Sequence, residues 1–242
     1  MTYLFLVIGL IVVLLEALVI YRALHNGRRA RLIARTAALE VNRLDDGPAK
    51  VRGHAVALTG ALTAPLSGRA CIYYRFRAEE QRRHAGPHGG GAYWKTVVDD
   101  AQSVPCGVDD GTGIAAVRLD EAELVLAHDR EARSGFWNSA SPELEEMLRQ
   151  RYGRSSRGWI FNKTMRYSET LIEEGDNLLV VGTAEATPGG NWQLVRGEGP
   201  LIVTDRGEAS LLSSYRTAAF FWWLLAVLVA AVVGVIASVV LL

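Results

Sequence analysis

Apolar residues run almost unbroken at both ends of the chain. Tyr3 to Ile20 is interrupted only by Glu16, and Ala218 to Leu242 carries no charge. A helix rises about 1.5 Å per residue and the hydrocarbon core of a bilayer is roughly 30 Å thick, so each run is long enough to span. The pattern predicts transmembrane helices over residues 3–21 and 218–242. Between them it predicts a basic juxtamembrane helix over 22–48, a soluble domain over 49–205 and a linker over 206–217. Only Met1 and Thr2 precede the first run and no A-x-A site follows it. A secretory signal peptide needs a basic leader and a cleavage site, so a retained anchor is expected.

The middle of the chain changes period. Ile72, Tyr74 and Phe76 alternate with Tyr73, Arg75 and Arg77, as in a half-buried strand. Further strands are expected over 53–58, 60–68, 94–98, 104–108 and 114–118, and again over 163–172, 177–183, 192–195 and 201–204. Asp109-Asp-Gly-Thr-Gly113 reads as a hairpin turn. One helix interrupts the strands: Ser141 suits the N-cap, Pro142 the first position, and Leu144, Met147, Leu148 and Tyr152 share a face. The expected class is α+β: a β-rich domain, either a small barrel or a curved sheet, with one or two helices and a transmembrane helix on each side.

Charge adds direction. Arg22, Arg28, Arg29, Arg31 and Arg35 follow the first apolar run, and Arg206 and Arg216 precede the second. Basic residues favour the cytoplasmic side. The expectation is a two-pass protein of a cell inner membrane, with its soluble domain cytoplasmic and both termini outside. Glu16 is costly at membrane depth. Helix pairing would let it accept a hydrogen bond from the indole N–H of Trp222 or Trp223. Lys plus Arg equals Asp plus Glu, at 26 each. Nucleic-acid binders usually carry a basic excess, so no nucleic-acid partner is expected.

Candidate chemistry is sparse. Cys71 and Cys106 form no C-x-x-C pair, and a reduced, structural role is expected for both. Cys106 follows a proline but has no cationic neighbour to activate it. Asp99-Asp100 and Asp109-Asp110 are read as solvated turn residues ahead of metal ligands. His84 and His88 are read as part of an exposed glycine-rich loop. Neither a phosphate-binding G-x-x-x-x-G-K-[ST] loop nor a G-x-S-x-G elbow occurs. No catalytic residue, cofactor or metal is expected. Glu169 shares a strand face with Met165, Tyr167 and Leu171, and a buried carboxylate needs a partner. Arg75 and Arg77 are the candidates.

Four stretches carry a family likeness. They are Gly60 to Tyr74 with Pro65, Cys71 and Tyr73; Trp94 through Pro105 to Asp110 and Gly113; Arg166, Tyr167 and Glu169 with Gly175; and Leu178 to Gly182. In this order and spacing the chain resembles the GIDE domain, the membrane-adjacent module of a family named for RING-type ubiquitin ligases. The resemblance implies a domain flanked by transmembrane helices. In the ligases a RING of eight Cys/His zinc ligands follows. This chain has two Cys and five His in all, so a RING-less, bacterial member is expected. The function expected is an interaction or scaffolding module without a substrate of its own. Its expected partners are the lipid bilayer, a protein and a second copy of the chain. The alternatives are ubiquitin-ligase-like transfer, implied by the resemblance, and an oligosaccharide- or nucleic-acid-binding barrel using Tyr73, Tyr74, Trp94 and Trp159.

Overall fold

Apolar runs and alternating runs separate in space as they do in sequence. A computed structural model describes residues 2–83, 91–127, 130–134, 142–154 and 164–241. It divides into a helical unit, Met1–Ala37 with Arg206–Leu242, and a β unit, Ala38–Asp205.

The helical unit is a pair of long helices, α1 (Thr2–Arg35) and α3 (Glu208–Leu241). Both are apolar and long enough to cross a membrane, and only 6% of either span is buried. That exposure is opposite to a soluble protein's core helix and suits a lipid solvent. The buried positions described are Val19, Ala23, Ala30, Ile33, Leu211, Tyr215 and Ala226, most of them small or near the basic end. The Arg29 guanidinium lies 5.8 Å above the Tyr215 ring, so the end of α1 meets the start of α3.

Both helices differ from the sequence expectation in their limits. The first runs through Gly27 without a break and stops at Arg35, well short of residue 48. Beyond it the chain is extended: Ala38 bridges Lys50, and Val41–Arg43 forms one 3-10 turn. The reason lies in the β unit, whose core takes Val41 and Leu44. α3 starts at Glu208, so residues 208–217 are helical as well.

The β unit has two layers of strands. The first comprises β1 (Gly47–Ala57), β6 (Cys106–Asp109), β7 (Ile114–Val117), β11 (Asn177–Ala186) and β12 (Trp192–Val195). Their hydrogen bonding runs β1-β6-β7-β12-β11, and β11 returns to β1, closing a five-stranded barrel. The pair β7–β12 is parallel and the other four are antiparallel. Closure leaves no open edge within the ring. Val51, Val108, Ala115, Val180 and Leu194 fill its interior.

β11 is longer than any one partner. It pairs with β12 over Thr183–Ala186 and with β13 (Leu201–Thr204) over Leu179–Val181. β13 then carries β8 (Ala122–Val125) in parallel. Gly182 sits at this fork. A Cβ there would stand 2.6 Å from Leu201 Cδ1 and 2.9 Å from the Val195 carbonyl oxygen.

The second layer is an antiparallel sheet ordered β5-β4-β10-β9, from β4 (Tyr73–Arg83), β5 (Ala92–Ser103), β9 (Arg130–Ser134) and β10 (Met165–Ile172). One face buries Tyr74, Phe76, Ala78, Val98, Met165 and Tyr167. Leu148 of α2 (Pro142–Tyr152) and Ala64 of the loop after β1 pack onto that face. A two-residue ladder, β2 (Leu62–Thr63) with β3 (Ala70–Cys71), brackets that loop. The strand expected over 60–68 shrinks to β2 because Ala64 to Gly68 closes as a turn, with the Gly68 N–H donating to the Ala64 carbonyl at 2.9 Å.

Candidate functional site

Register decides which residues meet on the second sheet. Glu169 lies opposite Phe76, and Ser168 opposite Arg77. Glu169 therefore points to the Tyr74–Phe76 face, and Arg75 and Arg77 point to the other. The expected pairing of Glu169 with Arg75 or Arg77 does not form. Glu169 is fully buried and its carboxylate accepts from two backbone amides instead: Leu66 N–H at 2.6 Å and Ser67 N–H at 3.0 Å. It thus anchors the turn that contains Pro65. Cys71, buried alongside, sends its thiol to the Leu62 carbonyl. Burial raises the Cys71 pKa, and the Glu169 charge adds to the effect. Cys106 is buried in the barrel wall, where desolvation pushes its thiol up to about 12. Neither thiol is an activated nucleophile.

The acidic pairs divide by strand alternation. Asp99 and Asp100 lie within β5 and not at a turn. On the buried side, Asp100 accepts from Tyr74 at 3.0 Å and Tyr152 at 2.7 Å, with Arg151 at 3.5 Å. Burial, then the bond to Asp100, pushes the Tyr74 hydroxyl up to about 12. This cluster ties α2 to the sheet. Sequence reasoning missed it because Asp100 and Tyr152 are far apart in the chain.

The second pair does form a turn, and Asp110 organises it. Its carboxylate accepts from the Thr112 N–H at 2.9 Å, the Thr112 hydroxyl at 2.7 Å and the Gly113 N–H at 3.3 Å. Its second oxygen accepts from the Val41 N–H at 2.7 Å. The hairpin thereby holds the 3-10 turn at Val41–Arg43. Gly113 permits the approach, since a Cβ there would stand 3.1 Å from Val41 Cγ1. Burial works to raise the Asp110 pKa, but the bonds from Thr112, Val41 and Gly113 outweigh it and hold the carboxyl low. A carboxylate depressed in the fold stabilises above its unfolded pKa of about 3.9, and that contribution fades as pH falls through the folded value. Asp110→Ala is expected to cost about 1–3 kcal/mol at neutral pH, and to lose less as the medium is acidified below pH ~4. Urea unfolding across that range checks both.

The remaining family positions separate in the same way. Pro105 offers its carbonyl to the Leu58 N–H at 2.9 Å. Gly175, at φ +87°, makes the tight turn between β10 and β11, and its N–H donates to the Ala55 carbonyl at 2.8 Å. Tyr167 is buried, parallel to Phe76 at 6.4 Å between centroids. Trp94 and Arg166 meet: the guanidinium lies 4.7 Å above the indole and pairs with Glu79. The Arg166 bond holds the Glu79 carboxyl below its usual range. Of the membrane positions, Glu16 is half-buried, and its Oε2 has no hydrogen-bond partner among the described residues. Neither Trp222 nor Trp223 donates to that oxygen. His84, His88, Ser141 and Trp159 lie outside the described residues.

The other face of the sheet bears a groove. Tyr73, Arg75 and Arg77 of β4 and Ser168 and Thr170 of β10 line this groove of about 130 Å³, with Leu124 of β8 and Leu126 on its far wall. Arg75 donates to Asp99 through Nε and Nη2, each at 2.8 Å, and Arg77 reaches the same carboxylate at 3.1 Å. The Arg75 bond, assisted by that of Arg77, lowers the Asp99 pKa. Two cations therefore share one anion. Among the described residues no group of three His, Cys, Asp or Glu converges as a metal site.

Residues 76–241 match the model of a protein family described as GIDE, E3 Ubiquitin ligase. The chain belongs to the GIDE family. No curated protein matches it, and no solved structure does. The GIDE match takes in Trp94, Arg166, Tyr167, Glu169 and the three motif glycines Gly113, Gly175 and Gly182, and continues through the whole of α3. In this GIDE protein those motif residues hold turns, the barrel fork and the sheet together. They do not converge on one reacting centre.

Proposed function

We propose that this GIDE protein is a membrane-tethered interaction module that organises a protein partner at the cytoplasmic face of a cell inner membrane. Both termini then lie on the opposite side. The observation that carries this reading is the extent of the family match, which runs from within the β unit through the apolar helix α3. The arginines after the first apolar run and before the second support the orientation. Cys71 and Cys106, buried with raised pKa values, are poorly suited to carry a ubiquitin thioester.

Two measurements test this. Protease added to inside-out inner-membrane vesicles is expected to cleave within residues 82–91, while right-side-out spheroplasts protect them. Cleavage only in spheroplasts reverses the topology. Crosslinking in native membranes followed by affinity capture is expected to recover one protein in stable ratio to this chain, or a second copy of it. Recovery of the uncrosslinked monomer alone removes the scaffolding role.

A further inference from the structure

Among the described residues that line the groove on the arginine-bearing face of the second sheet, two are cations and none is an anion. Arg75 and Arg77 both line it, and Asp99 is their shared counter-ion. Asp99 takes two N–H groups of Arg75 and one of Arg77. The Arg77 Nε is buried and has no hydrogen-bond partner among the described residues. Leaving such a donor unpaired costs about 1–3 kcal/mol, more when it is charged. Tyr73, Ser168 and Thr170, each with a hydroxyl, line the same groove.

Two guanidinium groups sharing one described carboxylate, with three hydroxyl-bearing side chains lining the same groove, fit an oxyanion with several acceptor oxygens. A carboxylate offers two such oxygens, and a phosphomonoester offers three. Leu124 and Leu126 give the opposite wall an apolar surface suited to the carbon stem of the ester. At about 130 Å³ the groove is well below the roughly 300–1,000 Å³ of pockets that enclose drug-sized ligands. It therefore suits a single phosphate on a short stem. We infer that this groove is a binding site for a phosphomonoester, with Arg77 as its principal donor and Ser168 and Thr170 completing the contact. The inference is independent of which side of the membrane the β unit faces.

The test titrates n-propyl phosphate into the full-length protein in detergent micelles by calorimetry. Saturable binding at one site per chain is expected, weaker for inorganic phosphate, which lacks the stem. Raising the salt is expected to weaken it, because both arginines are partly exposed. Arg77→Gln is expected to reduce affinity about tenfold or more, the loss of one charge-assisted bond. The double change Ser168→Ala with Thr170→Val leaves the Asp99 pairs intact and is expected to reduce it severalfold. It also keeps the test decisive should Arg77→Gln fail to fold. Free phosphoserine and glycerol 3-phosphate, probes for a side-chain and a small-molecule carrier, are expected to compete. Absence of saturable binding overturns the inference, as do wild-type affinity in both variants or failure of both probes to compete.

Discussion

Replacing Glu169 with alanine is expected to destabilise the β unit by about 3–5 kcal/mol, the scale seen when one partner of a buried charged contact is removed. The carboxylate is completely buried and both oxygens are used, one on the Leu66 amide and one on the Ser67 amide. Its removal leaves those two N–H groups beneath the loop with no acceptor and opens a void beside Cys71. Hydrogen bonds to a charged group contribute about 1.5–3 kcal/mol each, and a buried donor left alone carries a further desolvation cost. Glu169→Gln retains one acceptor oxygen and is expected to lose roughly half as much. Urea unfolding of both variants, followed by tyrosine and tryptophan fluorescence, measures the difference. Amide exchange at Leu66 and Ser67 locates it: both are expected to exchange much faster in the alanine variant. A loss below about 1 kcal/mol would show that the turn holds itself, a surface-like result.

The Glu169 contact also shows where sequence reasoning ran out. Alternation along β10 correctly places Glu169 among Met165, Tyr167 and Leu171, and so makes burial and the need for a partner legible. It does not give the register against β4. A shift of one residue exchanges the faces. With Glu169 opposite Phe76, the arginines fall on the far side and the acceptor's partners become backbone amides from a loop. Backbone donors leave no mark in a sequence. The same holds for Asp100, whose Tyr152 partner comes from α2.

Strands with strong apolar alternation and clear turns were legible, among them β4, β11 and the hairpin at residues 109–113. β8 and β9 were not. β8 is four residues long and half-buried throughout, and it takes its place from a parallel partner distant in sequence. The end of α1 was misjudged for a related reason: Val41 and Leu44 keep helical spacing yet are drawn into the barrel core. Periodicity reports that a residue is buried, and tertiary context decides in which element. The groove leaves no mark in the sequence, since it needs β4, β10 and the chain through Leu126 brought together.

Gly182→Val is expected to cost about 3 kcal/mol or more, at or above the upper end of overpacking penalties. The position is a branch point. On one side of it β11 bonds to β12, on the other to β13, and the end of one and the start of the other converge there. An added Cβ at 2.9 Å from the Val195 carbonyl oxygen and 2.6 Å from Leu201 Cδ1 meets backbone as well as side chain. Leu201 is fully buried and cannot swing into solvent. Relief then requires β12 and β13 to spread, which breaks ring closure on one side and loosens β8 on the other. Gly182→Ala is expected to cost less, about 1–3 kcal/mol, and pairing it with Leu201→Ala removes the side-chain clash but leaves the carbonyl. If the double variant is no more stable than Leu201→Ala predicts by simple addition, the carbonyl is the dominant obstacle. If it recovers most of the loss, the leucine is. A valine variant that unfolds at the wild-type urea midpoint would mean that the fork tolerates a side chain, and that the close approach at this junction is not required for the barrel to close.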